Sequence, residues 1–245
     1  MIRRRGAAAA TGVVSAAAVL SAAAVVTAML AAAPAEPPPS DKPTKESKSA
    51  QKDEWRTLFD GSTLKGWKVF TPGAKEGETT FSGAGGVLSC TGSPAGYIAT
   101  EEKFDNFELE LEWRFDPEKG AGNSGVLLRV ADDDKVWPRS IEAQLHSGNA
   151  GDIWNIGEVP MKAEASRTEG RRTKKAAESS EKPIGEWNKY RIRLDGGSLE
   201  LWVNGVLQNK AEQCEASKGR IALQSEGAFI QFRNVRLKPL KGTGG

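Results

Sequence analysis

Residues 107–115 read FELELEWRF, and their alternation decides the fold class. Phe107, Leu109, Leu111, Trp113 and Phe115 fall on one side, Glu108, Glu110, Glu112 and Arg114 on the other. Period two held over this length is a β-strand with one face buried and one turned to water. Outward from it the pattern repeats. The turn Gly120-Ala121-Gly122-Asn123 leads into a second strand at Gly125–Val130. Tyr190, Ile192 and Leu194 alternate with Lys189, Arg191 and Arg193, and Gly196-Gly197 then turns the chain into Leu199, Leu201 and Val203. Asn204-Gly205 is a hairpin signal, since both central residues of that turn need positive φ. Strands are also predicted at Trp67–Phe70, 86–90, 97–99, Arg220–Ser225 and 228–237. No helical periodicity follows the N-terminal leader. Many short strands separated by Gly, Asn and Asp turns predict an all-β sandwich of the jelly-roll type.

The N-terminus reads differently. Met1-Ile2-Arg3-Arg4-Arg5 precedes an alanine-rich, uncharged run over residues 6–35 that ends Ala33-Pro34-Ala35. A basic start, an apolar stretch and a small-residue exit predict a secretory signal over 1–35, with an uncleaved membrane anchor as the alternative. Either way the remainder is exported. Residues 36–53, EPPPSDKPTKESKSAQKD, lack the apolar residues a core needs and read as a disordered linker. Residues 54–240 are long enough for one domain, and 241–245 form a tail.

The chain has 34 basic and 32 acidic residues, but three of the arginines sit in the leader and no acid does. The exported part therefore has 31 basic against 32 acidic residues, a net of −1, which argues against nucleic acid as a partner. Membrane contact is expected only through an uncleaved leader. Nothing in the sequence sets an oligomeric state. Cys90 and Cys214 would meet an oxidising compartment, so a disulfide and two buried thiols both stay open. Two cysteines and one histidine do not make a structural zinc site.

Chemistry concentrates at residues 140–146, SIEAQLH. Alternation places Ile141, Ala143 and Leu145 on one face and Glu142, Gln144 and His146 on the other, one strand presenting a carboxylate, an amide and an imidazole. A loop with Asp152, Trp154 and Asn155 follows. Planar donors and acceptors beside an aromatic ring suit a sugar. Arg129 and Asn123 flank the preceding strand as candidate oxygen ligands, and Gln224 and Glu226 in LQSEG are placed to face the same cleft. The acids Glu108, Glu110 and Glu112, and the run RTEGRRTKK over 167–175, read as solvated. No cofactor is expected. Glu142, His146 and Asp152 match no dedicated metal motif, so no metal is expected either.

An ordered set of short motifs resembles the 3-keto-disaccharide hydrolase family, a concanavalin A-like jelly roll. The set is LFDGSTLKGW at 58–67, FELELEWRF, GNSGVLLR at 122–129, SIEAQLHSGNAGDIWNIG at 140–157, GEWNKYRI at 185–192, WVNG at 202–205 and RIALQSEGAFIQFRNVRL at 220–237. The resemblance spans nearly the whole domain. It implies cleavage of glycosides oxidised at C3, where the ketone acidifies the C2 proton, so a base, an enolate stabiliser and an acid suffice. Glu142 and His146 would share the acid and base roles. Arg129, Asn123, Gln144, Asp152, Trp154 and Gln224 would bind substrate. A conventional glycosidase instead flanks the bond with two carboxyl groups; laminarinase-type jelly rolls carry several acids on one strand, whereas the strand here carries Glu142 alone, with Asp152, Glu158 or Glu226 as outside candidates for a second. The competing expectations are a non-catalytic carbohydrate-binding module and a cell-surface interaction domain on the same fold.

Overall fold

The computed structural model describes residues 54–241. The predicted leader, linker and residues 242–245 of the tail lie outside the described residues. What is described is two antiparallel sheets packed face to face, with a 3₁₀ turn at Ala165–Arg167 as the helical element. FELELEWRF is the central strand of the first sheet, Phe107–Phe115, paired with Asn188–Asp195 on one side and Ile230–Pro239 on the other. The second sheet runs Thr168–Glu169, Arg172–Thr173, Ile153–Ile156, Ser140–Gln144, Gly125–Val130, Arg220–Ser225, Gly96–Thr100, Trp67–Phe70.

Inward residues of the two sheets make one core. Leu109, Leu111, Trp113, Tyr190 and Ile192 come from the first sheet; Val126, Leu128, Ile141, Ala143 and Leu223 come from the second. Trp113 and Tyr190 sit with ring centroids 5.5 Å apart. Each large apolar side chain so buried contributes about 1.5–3 kcal/mol, which is why the period-two pattern specifies the register.

The acids opposite that core are not solvated as expected. Glu108 takes two hydrogen bonds from Arg191, at 2.7 and 3.1 Å. Glu110 pairs with Lys189 and Arg236, and Glu112 with Arg233 and Asn234. Burial pushes both carboxyls up, but Lys189 and Arg236 at Glu110, and the Asn234 amide with Arg233 at Glu112, outweigh it and hold both below the usual range. Cross-strand register decides this, because Glu108, Glu110 and Glu112 stand directly opposite Arg193, Arg191 and Lys189.

Three sizeable strands escape the sequence pattern. Phe81–Ala84 contains Gly83, where an added Cβ would lie 2.9 Å from both Phe59 and the Ser62 carbonyl. Val206–Glu212 places Gln208 and Asn209 in buried positions, which breaks the apolar alternation. Ile153–Ile156, read as loop, is a strand because it pairs with both Ser140–Gln144 and Arg172–Thr173. Residues 167–175 are largely exposed, as expected, but hold a short hairpin rather than a plain loop, Thr168–Glu169 pairing with Arg172–Thr173 at the edge of the second sheet. Cys90 and Cys214 are both buried and unbridged.

Candidate functional site

The second sheet turns its outer face to a polar pit, and strand register shows how. Leu127 stands opposite Glu142 and Gly125 opposite Gln144. On the other side, Leu127 faces Ala222, and the same register brings Gln224 beside Gly125. Beyond the strand, Leu145 N donates to Ser124 O and Ser147 N to Gly122 O, so His146 comes opposite Asn123. Glu226 follows Gln224 by two residues, just past the end of its strand at Ser225. Rows of side chains two residues apart are about 7 Å apart along a strand. Gly125 therefore stands among Glu142, Gln144, Gln224, Asn123 and His146.

The glycine makes the pit. A Cβ at Gly125 would lie 2.4 Å from Glu142 Oε1 and 2.4 Å from Gln224 Oε1. Both oxygens thus close over the space a side chain would fill. Glu142 Oε1, both amide atoms of Gln224, Asn123 Oδ1 and Trp154 Nε1 are buried and have no hydrogen-bond partner. Leaving such groups unpaired costs about 1–3 kcal/mol each, so their gathering at one spot marks a place built for a polar ligand. Burial pushes the Glu142 carboxyl up to about 8, helped by Glu226 and opposed by Arg171. At pH 7 Glu142 is mainly a neutral acid.

Trp154 is the direct cross-strand neighbour of Glu142, and the Arg171 guanidinium lies 5.7 Å from its ring centroid. Asp152 is fully buried but already occupied: it accepts from Arg172 Nε at 2.6 Å and Lys175 N at 2.7 Å. It braces the hairpin that carries Arg171. Asn155 turns inward to exchange hydrogen bonds with the backbone of Val159.

Two expectations change here. The regular strand ends at Gln144, short of His146: Leu145 N is shared between Ser124 O and Gln144 Oε1, and Gln144 Oε1 also accepts from His146 N at 2.9 Å. His146 lies exposed at the bend, its Nδ1 3.0 Å from Ser147 O and 2.9 Å from Asn149 Nδ2; it donates to the first or accepts from the second, not both, and with the proton on Nδ1 toward Ser147 O, Nε2 is the basic ring nitrogen. Arg129 does not join the pit. Its φ of 53° and the register shift opposite Arg220 and Ala222 form a β-bulge that reverses the alternation. The guanidinium is buried on the core side, donating to the carbonyls of Gly196, Cys214 and Glu215. Its substrate-binding role is withdrawn on that geometry.

A cleft of about 540 Å³ on the outer face of the first sheet is lined by Glu110, Glu112, Lys189 and Arg236. Those charges satisfy one another, unlike the unpaired groups around Gly125. Trp137 is 53% exposed on the loop that precedes Ser140–Gln144. No periodicity pointed to Trp137, since residues 131–139 pair with no strand as a unit. Arg171 was hidden in an apparently solvated basic run.

Residues 54–238 match the family described as a 3-keto-alpha-glucoside-1,2-lyase-like domain. The chain belongs to that family. A 3-keto-disaccharide hydrolase of Bacteroides thetaiotaomicron is 27% identical over 234 residues, covering 77% of this chain and 79% of the relative. A Parabacteroides distasonis protein, whose crystal structure carries the provisional name glycosyl hydrolase, superposes with a TM-score of 0.58 at 21% identity, covering 77% of this chain and 100% of that one. The β-glucanase of Bacillus licheniformis superposes with a TM-score of 0.52 at 11% identity over 78% of this chain and 100% of that one. The two superpositions establish the jelly-roll fold shared by this 3-keto-alpha-glucoside-1,2-lyase-like domain. In it, Gly125→Ala is expected to keep the fold, because the obstructing atoms are side-chain ends, yet to lower kcat/KM at least about tenfold by displacing Glu142 and Gln224. Steady-state kinetics beside a thermal melt would check this; unchanged kcat/KM would remove the pit from the active site.

Proposed function

We propose that this domain cleaves the glycosidic bond of 3-keto-glycosides by elimination followed by hydration, outside the cytoplasm. The observation that carries the reading is Glu142, a buried carboxyl held neutral up to about pH 8, with Oε1 unpartnered beside the unpartnered Gln224 amide. A base takes the C2 proton, and the electron pair passes into the C3 carbonyl to give an enolate. Collapse of the enolate breaks the C1–O bond, the leaving oxygen receives a proton, and water then adds across the C1–C2 alkene. Neutral Glu142 supplies the proton for the leaving oxygen. His146 Nε2 is the candidate base, and the Gln224 amide and Trp154 N–H are candidate donors to the enolate oxygen. The family match and the Bacteroides relative support the substrate class.

The test is leaving-group release by the full-length protein from a 3-keto-glucoside, its C2-deuterated form and the unoxidised parent. Release from the keto substrates alone, slower with deuterium at C2, is expected. Equal cleavage of the parent, with no isotope effect, would instead establish direct displacement at C1. Export rests on the leader pattern of residues 1–35; recovery of the protein only in the cytoplasmic fraction of its cells would refute it.

A further inference from the structure

The outer face of the second sheet changes character beyond Gln224. The next strand places Tyr97 directly opposite Gln224, and the edge strand places Phe70 directly opposite Tyr97. The row through the pit therefore runs Gln144, Gly125, Gln224, Tyr97, Phe70, amides giving way to rings. Two residues along the same strands, the neighbouring row holds Leu127, Ala222 and Ala99. These three and Tyr97 are buried in an apolar cluster against which Phe70 packs, separate from the core between the sheets. The Phe70 and Tyr97 rings stack, with centroids 5.3 Å apart and planes 29° from parallel. Tyr97, 7% exposed, is the covered ring of the two, and Phe70 is only half-buried. Tyr97 thus braces Phe70 while part of the Phe70 surface stays in water.

Adjacent strands lie about 4.8 Å apart, which sets Tyr97 and Phe70 about 10 and 14 Å from Gly125. That is the reach of a second ring joined to one reacting over the pit. Glu142 Oε1 and Gln224 Oε1 both close on the place of the missing Gly125 side chain, so a leaving oxygen protonated by Glu142 sits over Gly125. The two sides of that point differ. Toward Trp154 lie an unpaired indole N–H and the Arg171 guanidinium, donors that suit the keto sugar as charge gathers on its C3 oxygen. Toward Phe70 the face is apolar, and a leaving group that departs as a neutral alcohol needs no such donors. Tyr97, Leu127, Ala99 and Ala222 bring no unpartnered buried polar side-chain atom, which favours an aromatic aglycone over a second hydroxyl-bearing sugar. Resting on the elimination reading above, we propose that the stacked pair Phe70–Tyr97 is the leaving-group subsite and selects glycosides with an aromatic aglycone. Phe70 is the platform on which that ring packs, offset or edge-to-face.

The test compares benzyl and methyl 3-keto-glucosides as substrates of the full-length wild type, Phe70→Ala, Phe70→Leu and Phe70→Tyr. Benzyl alcohol and methanol are closely similar in acidity, so the two substrates pose the same chemistry and differ in the ring. Wild type is expected to favour the benzyl substrate at least about tenfold in kcat/KM, mainly through KM. Phe70→Ala should bring that ratio within about twofold of unity, and Phe70→Tyr, which keeps the ring, should preserve it. Phe70→Leu retains apolar bulk against Tyr97 and so carries the test where Phe70→Ala does not fold; its ratio should be about threefold or less. A wild type indifferent to the ring, or a wild-type ratio in Phe70→Leu, overturns the subsite. If wild type releases neither alcohol, the elimination reading falls, and calorimetric titration with the same two glucosides judges the subsite separately. Tighter binding of the benzyl glucoside, lost in Phe70→Leu, would then uphold an aromatic-binding site at Phe70, and equal binding of the two would remove it.

Discussion

Glu142→Gln is expected to lower kcat toward a 3-keto-glucoside by about 10²–10⁴-fold and, at pH 8, to make the domain more stable than wild type. Both effects have one cause. The carboxyl is buried beside Gly125, and burial lifts it from 4.5 to about 8. In the unfolded chain it ionises near 4.5. Folding therefore favours the protonated form, and the stability associated with it is fully present below pH 4.5 and lost as pH rises through about 8. At roughly 1.36 kcal/mol per pKa unit, the loss is up to about 5 kcal/mol once both states are ionised. Glutamine has nothing to ionise. The gain in melting temperature from Glu142→Gln should be small at pH 5, grow to pH 8 and level off beyond it. Thermal melts of both proteins across that range, with kcat measured on the same samples, check the pair of effects. A variant equally stable at every pH would mean Glu142 is not enclosed as described. Full activity would take the proton donor away from this residue.

Arg129→Met is expected to destabilise the domain by about 3 kcal/mol or more, a fall in melting temperature of about 6–12 °C for a domain of this size. Where the variant remains folded, KM should not move. The guanidinium caps the carbonyls of Gly196, Cys214 and Glu215, and its removal leaves one buried and two part-buried acceptors without this donor. Arg129→Lys should rescue little, since one ammonium cannot span carbonyls that two prongs of a guanidinium reach. The bulge has no room to relax either: a Cβ at Gly219 would lie 2.4–2.8 Å from the Arg129 backbone. A variant of unchanged stability with a raised KM would return Arg129 to the substrate side.

The contrast between these residues marks where sequence reading succeeds. Glu142 was legible because it sits within an unbroken alternation, Ile141 and Ala143 inward, Glu142 and Gln144 outward. Arg129 stands in an equally regular-looking strand, but one extra residue opposite Ile221 sends its side chain to the other face. A β-bulge leaves no apolar periodicity to betray it. His146 was assigned to the strand, which ends two residues before it, because the hold of the Gln144 side chain on Leu145 N and His146 N cannot be seen in a pattern of polarity. Trp137 carried no signal at all, since an irregular loop's position is set by its anchors, here the Arg139–Glu215 pair.

By itself the sequence determined the all-β class, the central strand Phe107–Phe115 and which of its faces is buried, and it singled out the segment that carries the candidate site. It could do so because burying one face of a pleated strand imposes a period of two on neighbouring residues, and that constraint is local. Only the tertiary structure decided that Glu108, Glu110 and Glu112 are paired rather than solvated, that Arg129 braces the fold, and that Gly125 opens a pit between Glu142 and Gln224. Each of these depends on which residues stand across from one another on strands distant in the chain. Strand register, a bulge of one residue and an absent Cβ set those distances, and none leaves a periodic trace along the sequence.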